Sequence, residues 1–271
     1  MKNKIHYIYI KICLAILKNI DPHKKMIGRP NKFEYMFYIK NIIHITVTGL
    51  SWDKLSLLLS INVDLIRKKY IKWINLGVFS KANSIILHQY KRNNKYKNLF
   101  IDSTNIVNFS GCLNFGYNIK IKNKKSIKVS VLVDHNKIPH IIDVSKGSIH
   151  DAKIMENIIA TKLNNNKHAF NLVGDKGYIK NNNYVNDIKD NNNITLITPL
   201  RTNSKKENIN KDNKILLKDR SKVEHFFSLL KRGYKRISTI NDKLLVNYNN
   251  FLHIAVSLIS LKIINKINIK K

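Results

Sequence analysis

Three carboxylates, far apart in the chain, have the type and setting to do chemistry: Asp102, Asp175 and Glu224. Phe100-Ile101 is a short apolar run ending at Asp102, and Ala169 to Gly174 is another ending at Asp175, so both acids are expected to close buried strands. In open α/β sheets the carboxyl ends of strands face the site crevice, where catalytic side chains gather. Glu224 stands in a helical run with Arg220 four residues before it and Lys231 seven after. At 3.6 residues per turn these three fall within roughly 40° of one helix face. Carboxylates are hard oxygen ligands of the kind Mg²⁺ takes while keeping several waters. Two such ions roughly 3.5–4 Å apart can activate an attacking oxygen and steady a leaving one in phosphodiester chemistry. Arg220 and Lys231 would then hold phosphates beside the ions. Each residue also has a plainer reading. A strand-end aspartate is often a turn or cap residue, and an Arg220–Glu224 ion pair at this spacing is worth only a few tenths of a kcal/mol.

The elements that must position these acids are legible from Leu99 onward. Ile127 to Val133 alternates as a strand, Asp134 to Lys137 makes a turn, and Ile138 to Val144 pairs back as a hairpin. A helix is expected from about His150 to Ile159, with Asp151 placed to cap or complement its start. Ile194 to Pro199 reads as a strand and Arg220 to Leu230 as a helix. Hairpin, helix and crossover strands together predict an α/β sheet of roughly five strands. Asp134 and Asp143 flank the hairpin and are assigned to turns. His225 points about 100° away from Glu224 around the helix and is a poor partner for it. Asn clusters at 164–166, 181–183 and 191–193, and the Lys/Asn/Ser-rich run from Thr202 to Lys214, read as loops.

The first hundred residues read as helical. Leu55, Leu58 and Leu59 recur at helical spacing, Ser60-Ile61-Asn62 breaks the pattern, and Ile66, Tyr70, Trp73 and Ile74 resume it. Gly77 stands where a C-cap glycine belongs. Arg67, Lys68, Lys69 and Lys72 lie away from the apolar stripe, which suits a helix-turn-helix DNA reader and equally an amphipathic pair with a solvated basic face. Met1 to Leu17 is basic and then apolar, but Lys11 interrupts it and no small-residue cleavage site follows, so an ordinary helix is expected. Met26 is an alternative start. Phe251 to Ile264 is apolar yet carries His253 and Lys262 and is short for a bilayer, so it is read as a buried helix.

Composition agrees with a polyanionic partner. The 271 residues carry 49 Lys and Arg against 17 acids, a net charge of +32, and 44% hydrophobic content is enough for a core. Part of that charge can reflect an A/T-rich genome, since Lys, Asn and Ile crowd the chain. Cys13 and Cys112 match no disulfide framework or zinc spacing.

Taken in order, the motifs resemble one family. Ile101-Asp102-Ser103-Thr104, Gly147-Ser148-Ile149-His150-Asp151, Gly174-Asp175-Lys176-Gly177-Tyr178 and the Arg220, Glu224, Lys231 series resemble the DDE transposases of bacterial insertion sequences. Arg232-Gly233-Tyr234-Lys235-Arg236-Ile237, followed by Asp242-Lys243-Leu244, resembles the basic segment after the family's glutamate. Gly28-Arg29-Pro30, Thr48-Gly49-Leu50-Ser51-Trp52 and Trp73 to Phe79 look like its N-terminal DNA-binding region. The resemblance implies an α/β, RNase H-like mixed sheet flanked by helices, behind a small all-helical DNA-binding region. It implies Asp102, Asp175 and Glu224 as the metal-binding triad, Mg²⁺ or Mn²⁺ as cofactor with two ions, and terminal inverted repeats and target DNA as partners. Arg67, Lys68, Lys69, Lys72, Arg220, Lys231, Arg232, Lys235 and Arg236 are the expected DNA contacts. Two departures stand out. Leu217 occupies the place of the family's tyrosine three residues before the arginine, and positions 176–223 leave no room for a large inserted domain.

The expected organisation is an N-terminal extension over 1–27, a helical DNA-binding region over 28–95, a catalytic domain over 96–265 and a basic tail over 266–271. The expected activity is metal-dependent cleavage at element ends and strand transfer into target DNA. A nuclease without strand transfer and an inactive DNA-binding descendant are the alternatives. No membrane association is expected, and a homodimer in the DNA complex follows by resemblance. The compartment is the cytoplasm and nucleoid for a bacterial host, or the nucleus for a eukaryotic or viral one.

Overall fold

The computed structural model describes residues 2–21, 32–109, 115–118, 124–164, 166–200, 210–238 and 240–270. Met26, Gly28-Arg29-Pro30, Cys112 and most of the run from Thr202 to Lys214 lie outside them. The chain forms two compact units: Met1–Asn93 with Phe109–Leu113 and Leu229–Lys271, and Asn94–Asn108 with Asn114–Ser228. Residues 229–271 therefore pack with the N-terminal helices, so the range 96–265 does not coincide with one compact unit.

The first unit is helical. It contains α1 (Lys2–Ile20), α2 (Tyr35–Thr48), α3 (Trp52–Leu59), α4 (Asp64–Asn75), α5 (Val78–Asn93), α10 (Lys235–Ser238) and α11 (Leu245–Lys270). Gly49 caps α2 in the left-handed region (φ 74°), and a Cβ there would stand 3.0 Å from Cβ of Lys235, so both conformation and space select glycine. Ser51 begins α3 by accepting a bond from the Lys54 N–H, and Ser60 ends it in the left-handed region. Ile66, Tyr70, Trp73 and Ile74 are buried along one stripe of α4. In α3 only Leu55 is buried; Leu58 is 64% exposed, so the leucine spacing overstated that core. Cys13 is buried in α1, and burial pushes its thiol up to about 12. By length and composition α11 could cross a membrane, but Ile254 to Ser260 are buried in succession and Ser257 Oγ donates to Asn83 Oδ1. It is a core helix, as expected.

The second unit is built on a six-stranded mixed sheet. Its strands are β1 (Asn98–Val107), β2 (Gly116–Asn118), β3 (Lys124–Val133), β4 (Pro139–Lys146), β5 (Phe170–Val173) and β6 (Ile194–Ile197). β1 pairs antiparallel with β3 and parallel with β5, and β5 pairs parallel with β6. The other edge of β3 is shared, with β4 along Ile127 to Val133 and β2 along Lys124 to Ser126. Cross-strand partners share a sheet face, and faces alternate along each strand. Leu99, Ile101 and Leu132 face α6 (Asp151–Lys162), where Ile154, Met155 and Ile158 complete the core. Phe100, Asp102 and Val131 face the other way, where Nζ of Lys222 lies 5.7 Å from the Phe100 ring. Lys222 belongs to α9 (Ser221–Gly233), which carries Glu224 in its first turn.

Parts of the segments read as loops are helical: the clusters at 181–183 and 191–193 fall at the two ends of α7 (Asn182–Asn192), and the last residues of the 202–214 run begin α8 (Lys211–Lys218). Asn181 and Asn193 are the two caps of α7, the latter left-handed at φ 57°, so the asparagine clusters mark its ends.

Candidate active site

Asp102 is the fifth residue of β1 and does not end it; this corrects the expectation that it closes a strand. It does stand just past the end of the parallel pairing with β5. Phe100 is level with Val173, so two residues further along each chain come Asp102 and Asp175. Asp175 follows β5 and caps the 3-10 turn Lys176–Tyr178, its Oδ1 accepting from the Gly177 N–H at 2.7 Å. Asp102 is half-buried, and its Oδ1 accepts from the Ser103 N–H at 2.8 Å. Burial pushes the Asp102 carboxyl up to about 6; the Ser103 N–H and the Arg220 charge oppose the shift, while Asp175 and Glu224 add to it. Asp175 and Glu224 thus both lie within electrostatic range of Asp102.

Glu224 stands in the first turn of α9 with a 61% exposed side chain, and its Oε1 accepts from Nη2 of Arg220 at 3.5 Å. Arg220 lies one residue ahead of the helix, and its buried Nε has no partner among the described residues. Lys231 lies two turns beyond Glu224 on α9 and is half-buried, with its ammonium pushed down by burial. Among the described residues no three His, Cys, Asp or Glu side chains stand close enough together to hold a metal ion, and Glu224 is turned to Arg220.

A layer of polar contacts behind the acids escaped the sequence. Ser103 Oγ lies 2.7 Å from Ser130 Oγ and 2.8 Å from the Tyr178 hydroxyl, tying the strand of Asp102 to the turn after Asp175. A Cβ on Gly174 would stand 2.9 Å from the Tyr178 ring, and one on Gly177 would be 2.9 Å from Oδ1 of Asp175. Lys128, 8% exposed, donates to Asp151 Oδ1 at 2.9 Å and to the Ile149 carbonyl at 2.6 Å. Asp151 is therefore the partner of a buried lysine, while His150 caps α6 by accepting from the Ala152 N–H. Asp134 does shape the hairpin turn, holding the Asn136 and Ile138 N–H groups, and it also meets His140 at 3.1 Å. Asp143 instead pairs with Lys162.

The expected DNA contacts divide. Arg67, Lys68, Arg232 and Lys235 are exposed. Lys69 lies over the Tyr35 and Tyr38 rings, and Lys72 bonds Asp21 at 2.7 Å. Arg236 is a correction. It is 3% exposed, bonds Asp242 at 2.7 Å and lies 5.0 Å from the Phe251 ring centre, so it serves the core of the helical unit and cannot reach DNA.

Residues 93–259, well over half of the chain, match the family model described as the transposase DDE domain. The chain belongs to the DDE transposase family. It is a DNA transposase, of a family that catalyses DNA cleavage and strand transfer and generally uses divalent metal ions. Its fold resembles a solved piggyBac transposase synaptic complex with hairpin DNA, with a TM-score of 0.62 at 12% identity over 99% of this chain and 75% of that one. A Mos1 mariner paired-end complex with Mn aligns over 82% of this transposase and 85% of that chain, at 12% identity and a TM-score of 0.24. No curated protein matches the sequence.

Proposed function

We propose that Asp102, Asp175 and Glu224 are the acids with which this transposase cuts and joins DNA, and that they hold two divalent ions, Mg²⁺ or Mn²⁺. The observation that carries the reading is Asp102, a half-buried carboxyl raised to about 6 with two further acids in electrostatic range. Such a site favours a cation, and three hard oxygen donors without thiol or imidazole suit Mg²⁺ or Mn²⁺. When bound, the ions supply charge for the attacking and leaving oxygens of a phosphodiester. The chain's own part is positioning. Ser103 and Gly177 N–H groups each fix one carboxylate oxygen, of Asp102 and Asp175 respectively, leaving the other for a ligand. Glu224 reaches the site by turning from Arg220, which frees that guanidinium and its unpartnered Nε for a DNA phosphate.

Arg67, Lys68, Lys231, Arg232 and Lys235 are proposed phosphate contacts, with the 28–95 region reading terminal repeats and a dimer joining two ends. In a bacterial host this places the protein at the nucleoid. The test is cleavage of an end-containing duplex by Asp102→Asn, Asp175→Asn and Glu224→Gln. Each should be inactive with Mg²⁺ while binding the duplex in EDTA as wild type does; a variant that still cleaves overturns the assignment.

A further inference from the structure

We propose that β2 is a platform on which the transposase stacks an unpaired DNA base, at a distance from the catalytic acids. Phe115 and Tyr117 flank Gly116, with ring centroids 5.9 Å apart in a T-shaped pair, and Tyr117 is 58% exposed. Lys125, level with Tyr117 across the strands, sets its ammonium 4.8 Å from the Phe115 ring centre, and Lys124 beside it is exposed. An exposed tyrosine beside a half-buried phenylalanine that carries a lysine over its ring, with a second lysine next to them, is a composition that binds single-stranded nucleic acid: the free ring takes a base face, and the lysines take phosphates. Such aromatics on an edge strand are otherwise a liability, because an apolar edge invites pairing with another chain.

The platform is also held rigidly. A Cβ on Gly116 would run into Ser148 Oγ and stand 2.6 Å from its backbone nitrogen. A Cβ on Gly147 would run into Ser126 Oγ, and the Gly147 N–H donates to the Ser126 carbonyl at 3.0 Å. The Gly147-Ser148 motif therefore has a task that the triad does not give it. It seats β2 against the start of the α6 loop from one face, so that Phe115 and Tyr117 project from the other. By strand register that other face is the one carrying Asp102, because Lys125, Ile127, Val129 and Val131 alternate together along β3 and Val131 is level with Asp102. Lys125 and Val131 are six positions apart on β3, about 20 Å. Ile127 and Val129 between them are buried, so the platform is a second contact and not a wall of the active site.

The occupant is DNA, since the rings sit among lysines in a chain of net charge +32. That choice rests on Asp102 marking the DNA-handling face. The test uses the full chain in EDTA, an oligo(dT) strand of about 20 nucleotides and a duplex of equal length. Tyr117→Ala should weaken oligo(dT) binding about 5–100-fold while leaving duplex affinity unchanged, and Tyr117→Phe should bind as wild type. 5-Iododeoxyuridine in the strand should photocrosslink to Tyr117. Unchanged oligo(dT) affinity in Tyr117→Ala, or equal losses for strand and duplex, overturns the platform. So does a changed sedimentation coefficient with DNA affinity intact, which would assign the patch to a second copy of the chain. These measurements need no metal, so they can fail while Asp102→Asn is still inactive, and an active Asp102→Asn would fault the triad without changing the oligo(dT) result by which the platform is judged.

Discussion

Replacing Asp102 by asparagine should make the metal-free transposase more stable while ending its activity. The carboxyl moves from 3.8 in the unfolded chain to about 6 in the folded one, chiefly through burial. At 1.36 kcal/mol per tenfold change in the proton equilibrium, ionising Asp102 in the folded state costs about 3 kcal/mol at most. Partial exposure lowers that to about 1–3 kcal/mol. The sign follows from linkage. Between pH 3.8 and 6 the folded chain binds more protons at this residue than the unfolded chain does, so the stability associated with the raised carboxyl is complete below pH 3.8 and falls as pH rises through 6. Asparagine keeps an oxygen for the Ser103 N–H and has no charge to desolvate. Thermal unfolding in EDTA should therefore show Asp102→Asn above wild type at pH 8, by about 2–4 °C for each kcal/mol, with the difference closing toward pH 4. Adding Mg²⁺ should raise the midpoint of wild type and leave the variant where it was. A variant less stable than wild type at pH 8, or a difference that ignores pH, would refute the claim that Asp102 is held at a cost the cation repays.

Other substitutions probe the scaffold. Lys128→Met should destabilise the sheet unit by about 3 kcal/mol in denaturant titration, because it strands the Asp151 carboxylate, and adding Asp151→Leu should recover most of the loss. Arg236→Ala should cost about 3–5 kcal/mol, because Asp242 is left buried at 6% exposure, with DNA affinity per folded molecule unchanged; a selective loss of DNA binding would contradict the buried placement. Replacing Arg67 and Lys68 together by glutamine should leave the unfolding midpoint unchanged and reduce the slope of log affinity against log salt by about 2, read by DNA binding at several salt concentrations.

The strands that carry the proposed acids were more legible in the sequence than their surroundings, and the reason is physical. Apolar runs mark strands buried on both faces, so Phe100-Ile101 and Phe170 to Val173 could be read directly. β1 continues through Ser103 to Val107, but there its residues are mostly half-buried and polar, and the hydrophobic signal stops at Asp102 while the strand does not. β2 is three residues long and held by β3 and Ser148, a pattern with no local period to read. Seven of the 11 residues of α7 are asparagine or aspartate, and its capping residues carried the same turn signals as a loop. Arg236 misled for the opposite reason. It sits in a basic run that looks like a phosphate contact, and only the fold brings Asp242 and Phe251 against it.

The polar layer behind the acids has the same character. Lys128 and Asp151 lie 23 positions apart, and Ser103 and Tyr178 lie 75 apart. Each pair joins a strand to the start of a helix or turn, so neither partner carries a local signature. The Ser103–Tyr178 contact ties together the two segments whose Ser103 and Gly177 N–H groups hold the carboxylates of Asp102 and Asp175. The Gly147 to Asp151 motif thus divides its work. Its glycine and serine hold β2, and its aspartate answers a buried lysine. Both roles are structural, while the placing of Asp102 and Asp175 side by side comes from the pairing of β1 with β3 and β5.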